Sequence, residues 1–163
     1  MMRALRHLFA SQLGTRRRFS REVTEAIERA IATAELRTSG EIRFAIETDL
    51  ELWELRAGKT PRERALEVFG ALRVWDSELG NGVLIYVLMA DRDVEIVADR
   101  GAAASIRGED WESACKAMEE RFRAGRFEEG AVAGVVAVGA LLARHFPARA
   151  VERNEQPNQP SLL

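Results

Sequence analysis

A single cysteine among 163 residues excludes any intrachain disulfide and is the usage expected of a reducing compartment, so a cytoplasmic location is expected. Two histidines, His7 and His145, leave little scope for a Ser-His-Asp or Cys-His centre, and with one thiol they leave none for a Cys/His zinc site. Cys115 falls on a helical stretch and reads as a small core residue. His145 falls in the last turn of the last expected helix, where its cation suits the dipole. There is no glycine-rich phosphate loop ending in Lys-Ser or Lys-Thr and no Gly-x-Gly-x-x-Gly, so no organic cofactor is expected. The longest uncharged apolar run, Gly130 to Ala143, has 14 residues, short of the roughly 20 that a spanning helix needs. Arg3, Arg6 and His7 interrupt the first ten residues, which are not those of a secretory signal. Peripheral contact is the membrane option that remains.

The net charge of −2 conceals an asymmetry: residues 1–21 hold six arginines and no acid, and all 26 acids follow. Leu5, Leu8, Phe9 and Leu13 recur at helical spacing among Arg3, Arg6 and His7. This basic amphipathic arm, residues 1–19, has two readings. One is peripheral membrane contact through residues 1–18. The other, favoured, is fold-back on its own domain. Nucleic acid is not expected as a partner, because six charges make a short run.

Beyond the arm, residues 20–147 read as one domain. Ser20 can cap a helix to about Arg37 with Val23, Ile27, Ala30, Ile31 and Ala34 on one stripe. Glu41–Thr48 alternates as a strand, with Ile42, Phe44 and Ile46 on an apolar face and Glu41, Arg43 and Glu47 opposite. Thr60-Pro61-Arg62-Glu63 is a capping box that opens a helix with Leu66, Phe69, Leu72 and Val74 or Trp75 as its stripe. Val83–Ala90 carries no charge, as a central strand covered on both faces would. Asp91-Arg92-Asp93 is too short for a crossover, so Val94–Asp99 returns as an antiparallel hairpin strand. A loop follows Gly101, then helices over about Glu109–Ala124 and Glu128–Phe146. In the second of these, Gly130, Gly134 and Gly139 permit close packing. The tail, residues 148–163, is polar and proline-containing, and disorder is expected there. The expected architecture is an α/β/α sandwich: a small mixed sheet of parallel strands plus an antiparallel edge hairpin, flanked by helices.

With histidine and thiol chemistry set aside, carboxylates remain. The topology gathers Glu41, Asn81 and Asp99 at one end of the sheet, with Asp110 in the first turn of the next helix able to join them. Glu47, Asp49, Asp91 and Asp93 gather at the other. All-oxygen clusters suit Ca²⁺ or Mg²⁺; solvated loop acids and helix caps are the alternative. Arg92 and Arg100 are candidate anion contacts, with ion pairing the favoured role.

Four motifs carry a family resemblance over residues 20–147. They are Ser39-Gly40-Glu41-Ile42-Arg43, Asn81-Gly82-Val83-Leu84-Ile85, Ala90-Asp91-Arg92-Asp93-Val94, and Arg121-Phe122-Arg123-Ala124-Gly125-Arg126-Phe127 followed by Gly130. In order and spacing they resemble the TPM-domain family, and the arginine-rich first twenty residues resemble a bacterial cytoplasmic branch of it. The resemblance implies an α/β/α sandwich, acid-phosphatase-type activity, divalent-cation binding, and roles in assembling or repairing membrane complexes. Many members carry Asp where this chain has Asn81, which removes one ligand charge. The expectation is a binding or regulatory module with an unidentified protein partner and a Ca²⁺ or Mg²⁺ site at Glu41, Asn81, Asp99 and Asp110. The alternatives are a metal-dependent phosphomonoesterase, with Arg92 or Arg100 steering phosphate, and a peripheral membrane adaptor.

Overall fold

The computed structural model describes residues 2–149 and 154–163. In chain order the elements are α1 (Met2–Leu8), α2 (Gln12–Arg18), α3 (Arg21–Glu35), β1 (Ile42–Glu47), α4 (Leu52–Arg56), α5 (Pro61–Ala71), β2 (Val83–Leu88), β3 (Asp93–Ala98), α6 (Arg100–Ser105), α7 (Gly108–Arg123), α8 (Phe127–His145) and β4 (Ser161–Leu162). The sheet order is β3-β2-β1-β4, with β1 parallel to β2 and to β4, and β3 antiparallel to β2. Helices cover both faces, as the sandwich reading expects.

Alternation along the strands splits the core in two. Val83, Ile85 and Val87 of β2 join Ile42, Phe44 and Ile46 of β1 against α3, α7 and α8. Leu84, Tyr86 and Leu88 face the other way, onto Ala65 and Val68 of α5. All six residues of β2 are buried, as its uncharged sequence requires. Helix α8 approaches its neighbours through glycines: a methyl at Gly134 would overlap Met118 of α7, and one at Gly139 would press on Ala34 of α3.

Three expectations change. The α5 stripe shifts in part: Phe69, Leu72 and Val74 pack in the core as expected, but Leu66 and Trp75 are half-exposed while Ala65 and Val68 are buried. The box at Thr60 and Glu63 forms as expected, but α5 ends at Ala71 and the chain turns through Arg73 at φ 54°, so residues beyond it leave the helical register. The loop after Gly101 contains α6, capped by the Asp99 carboxylate, which accepts the Arg100 N–H at 2.7 Å. Residues 154–163 of the tail, where disorder was expected, lie along the sheet and supply β4, pairing Ala45 with Ser161 and Ile46 with Leu162. The physical reason is local. The face of β1 that carries Glu41, Arg43 and Glu47 is itself buried, so each needs a partner, and the tail supplies partners to two of them. Residues 150–153 lie outside the described set.

The arm folds back. Arg3 Nε donates to Asp91 Oδ2 at 2.8 Å and its Nη1 to the Lys59 carbonyl at 2.8 Å. His7 is buried; its Nδ1 accepts the Leu50 N–H at 2.9 Å and its Nε2 lies 3.1 Å from Asp91 Oδ1. A ring nitrogen that accepts carries no proton, so Nε2 holds the proton and faces the carboxylate.

Candidate functional site

The strand register brings Glu41, Asn81 and Asp99 to one end of the sheet. Val83 N–H donates to the Glu41 carbonyl and Asp99 N–H to the Gly82 carbonyl, each at 2.8 Å. Each side chain has a structural partner there. The Asn81 amide donates to the Ser39 carbonyl at 2.8 Å, which fixes the segment before β1 against the segment before β2. Asp99 caps α6. Glu41 accepts two backbone N–H groups from the tail, Glu155 at 3.0 Å on Oε1 and Gln156 at 3.3 Å on Oε2. Asp110, in the first turn of α7, pairs at 3.4 Å with Arg107, the residue just before that helix, and no hydrogen bond joins it to the other three among the described residues. Among those residues no group of three His, Cys, Asp or Glu side chains is disposed to hold a metal ion. The polar groups at this sheet end are engaged in hydrogen bonds to the chain itself.

Next to Glu41 lies a cleft of about 440 Å³ lined by Glu35, Thr38, Ser39, Glu41, Asn154 and Asn158. Glu35 closes α3. Burial, with the Glu41 carboxylate adding to it, pushes its carboxyl up to about 8, although Oε1 accepts the Ile42 N–H at 2.9 Å. Sequence reading missed Glu35. The available signal was an acid at a helix C-terminus, where the dipole disfavours it, six residues before a second acid.

The tail is held through both its backbone and its side chains, the Glu155 carboxylate accepting the Glu78 N–H at 3.0 Å. Besides Glu41, Arg43 donates from Nη1 to the Pro157 carbonyl at 2.7 Å and from Nη2 to Ser161 Oγ at 2.9 Å. Leu163 N–H reaches the Ile46 carbonyl at 2.9 Å. Gln156 donates its amide to the Arg73 carbonyl at 3.1 Å. The result is an extended segment laid on a strand edge, clamped by one acid and one base.

The opposite end of the sheet is a set of ion pairs. Arg64 donates to both oxygens of Glu47, at 2.8 Å from Nη2 and 2.9 Å from Nε, and the Tyr86 hydroxyl donates to the same carboxylate. Burial, and then that hydrogen bond, push the Tyr86 phenol far up. Asp91 is claimed by the arm. Burial opposes its ionisation, but Arg3 and His7 outweigh it and hold the carboxyl below the usual range. Burial raises Asp49. Burial, with Glu95, Glu119 and Asp91 nearby, pushes Asp93 up to about 6. Asp49, Asp91 and Asp93 share this end, and among the described residues they form no group of three disposed to hold a metal ion. Arg100 and Arg92 are exposed, and neither pairs with an acid among the described residues.

No helix among the described residues is long and apolar enough to cross a membrane. None of the curated proteins compared is similar to the chain. Among solved structures it is similar to the BA42 protein of the psychrophilic bacterium Bizionia argentinensis: 33% identity, TM-score 0.73, covering 87% of this chain and 93% of that one. The N-terminal domain of a protein from P. gingivalis shares the fold at 18% identity and TM-score 0.60, covering 80% of this chain and 82% of that one. The family model of the TPM domain matches residues 16–141, most of the chain, and the protein belongs to the TPM-domain family.

Proposed function

We propose that this TPM domain is a binding module that docks an extended polypeptide segment along the free edge of β1, and that residues 154–163 occupy that edge in cis. The observation that carries this reading is the clamp. Glu41 takes two successive backbone N–H groups, Arg43 takes a backbone carbonyl, and β1 pairs with the segment in parallel. Main-chain bonds of this kind give affinity with little dependence on sequence, as in strand addition generally. A partner strand would make the same contacts once the tail leaves. The phosphatase alternative has less behind it, since among the described residues neither the Thr38 nor the Ser39 hydroxyl is hydrogen-bonded to a carboxylate that could act as its base.

The test keeps the whole chain. Gln156→Pro with Leu163→Pro removes two of the N–H groups that bind the tail to Glu41 and β1. A labelled peptide spanning residues 154–163 is then expected to bind this variant at least about tenfold more tightly than the unaltered chain, whose own tail competes at high effective concentration. Adding Arg43→Ala should abolish that gain. Equal peptide binding by variant and unaltered chain, with circular dichroism showing both folded, would discard the reading.

A further inference from the structure

The arm is docked by its polar side. Arg3, Arg6 and His7 of α1 turn toward Asp91, and helical spacing therefore sends Leu5, Leu8 and Phe9 the opposite way. Leu8 is 61% exposed, Phe9 79%, and Leu13 on α2 60%. An amphipathic helix packed for stability alone would bury these and leave the arginines outside.

Beside this apolar face runs a groove of about 560 Å³ between the arm, the hairpin turn and the α7–α8 connection. Arg6, Arg18, Arg92 and Arg123 line it together with Phe9 and Phe127, and among the described residues no acid lines it, although Arg6 pairs with Asp91 and Arg123 with Glu119 at its margin. Arg18 lies over the Phe127 ring, 5.6 Å from its centroid. The Arg92 backbone N–H donates to the Met89 carbonyl at 3.2 Å, but its guanidinium makes no hydrogen bond or ion pair among the described residues. The residue is also held at φ 56°, a conformation that glycine or asparagine adopts far more readily. An arginine kept in a strained turn without a partner for its guanidinium, beside other arginines, marks a site for an anion. Arg16 and Arg17, exposed on α2, extend the positive surface.

We propose that this face binds an anionic phospholipid surface: Leu5, Leu8, Phe9 and Leu13 enter the boundary between headgroups and acyl chains, and the arginine groove receives a lipid phosphate. The two halves of the face match the two halves of the ligand. A soluble phosphate compound would use the groove and leave four exposed apolar side chains without a purpose. A second copy of the chain would have to set acids against the arginines. The face shares no residue with the β1 edge and stands independently of strand docking.

The test is co-sedimentation of the full chain with vesicles of phosphatidylglycerol and phosphatidylcholine, and with phosphatidylcholine alone. Partition onto the anionic vesicles is expected, weakening as NaCl rises, with none onto the neutral ones. Phe9→Asp or Leu8→Asp should lower it at least about tenfold. Arg92→Gly relaxes the turn, so loss of fold cannot explain its effect, and it should lower partition about fivefold. Four results would overturn the proposal: equal partition onto neutral vesicles; no partition onto anionic vesicles at low salt; unchanged partition of Arg92→Gly together with Phe9→Asp; or a dimer, dissociated by Leu8→Asp, in place of vesicle binding. Glycerol 3-phosphate perturbing the Arg92 and Arg123 resonances while vesicles leave them unchanged would reassign the groove to a soluble ligand.

Discussion

Gly82→Ala is expected to destabilise the protein by about 3 kcal/mol or more, a large share of what a domain of this size has to lose. Gly82 stands immediately before β2, and a methyl group on it would overlap the carbonyl oxygen of Val74. The obstacle is backbone, so no rotamer change relieves it. The connection from α5 and the entrance to the central strand must separate, and the Asp99 N–H bond to the Gly82 carbonyl is strained with them. Gly70→Ala is the matched control. It lies in α5 with nothing within 4 Å of the added methyl, and should gain up to about 1 kcal/mol from the better helix former. Urea denaturation midpoints of the two variants should therefore move in opposite directions. A Gly82→Ala midpoint within error of the unaltered chain would mean that the α5–β2 connection is loosely held.

The second large effect is a pH dependence. Glu35 has its folded carboxyl raised to about 8, mainly by burial, while in the unfolded chain it titrates as an ordinary glutamate. A raised value favours the protonated form in the fold. Its contribution to stability is thus complete below the unfolded value and is lost as pH rises through the folded one. Between about pH 5 and pH 8 this single group should remove about 3 kcal/mol. Glu35→Gln keeps an acceptor for the Ile42 N–H and cannot ionise, so most of the slope should disappear. Asp93, raised to about 6, leaves a shallower decline in the same direction. Asp91, lowered by Arg3 and His7, works in another window: its contribution is lost only as pH falls into the acid range. Unfolding free energies of both chains at several pH values decide the matter. An equally steep fall in Glu35→Gln would place the titrating group elsewhere.

What could be read beforehand followed from patterns that depend on side-chain chemistry. The uncharged run of β2 announced a strand covered on both faces. Asp91-Arg92-Asp93 announced a hairpin because no crossover fits in so few residues, and Thr60 with Glu63 announced a helix start through a geometry local to four residues. Register then carried Glu41, Asn81 and Asp99 to one end without further information. The tail was illegible because the clamp on it, from Glu41 and Arg43 to the Glu155 and Gln156 N–H groups and the Pro157 carbonyl, grips backbone groups, which every residue carries alike. Nothing in Asn154-Glu155-Gln156-Pro157 signals that Glu41 and Arg43 need what it offers. The alternation of β1 suggested a wet face, and only the third dimension shows Arg43 and Glu47 buried. For the arm, periodicity located the apolar stripe correctly but not the side that docks, since Asp91 lies 88 residues from Arg3. Glu35 was passed over because its neighbour in space, Glu41, lies beyond a turn.

The strand that completes the β1 edge comes from far along the chain: Arg43 and Pro157 are separated by 114 residues. On a ribosome, β1, β2 and β3 are all available while that segment is still unmade. Every newly synthesised molecule therefore passes through a stage in which the edge of β1 at Ala45 and Ile46, which Ser161 and Leu162 later cover, presents unpaired main-chain groups to its surroundings. The interval is set by translation speed, and the exposed row is a template for any neighbouring nascent chain. Expression in which residues 154–163 are delayed or cut away should shift the product toward aggregates, even though the removed segment contains almost none of the core.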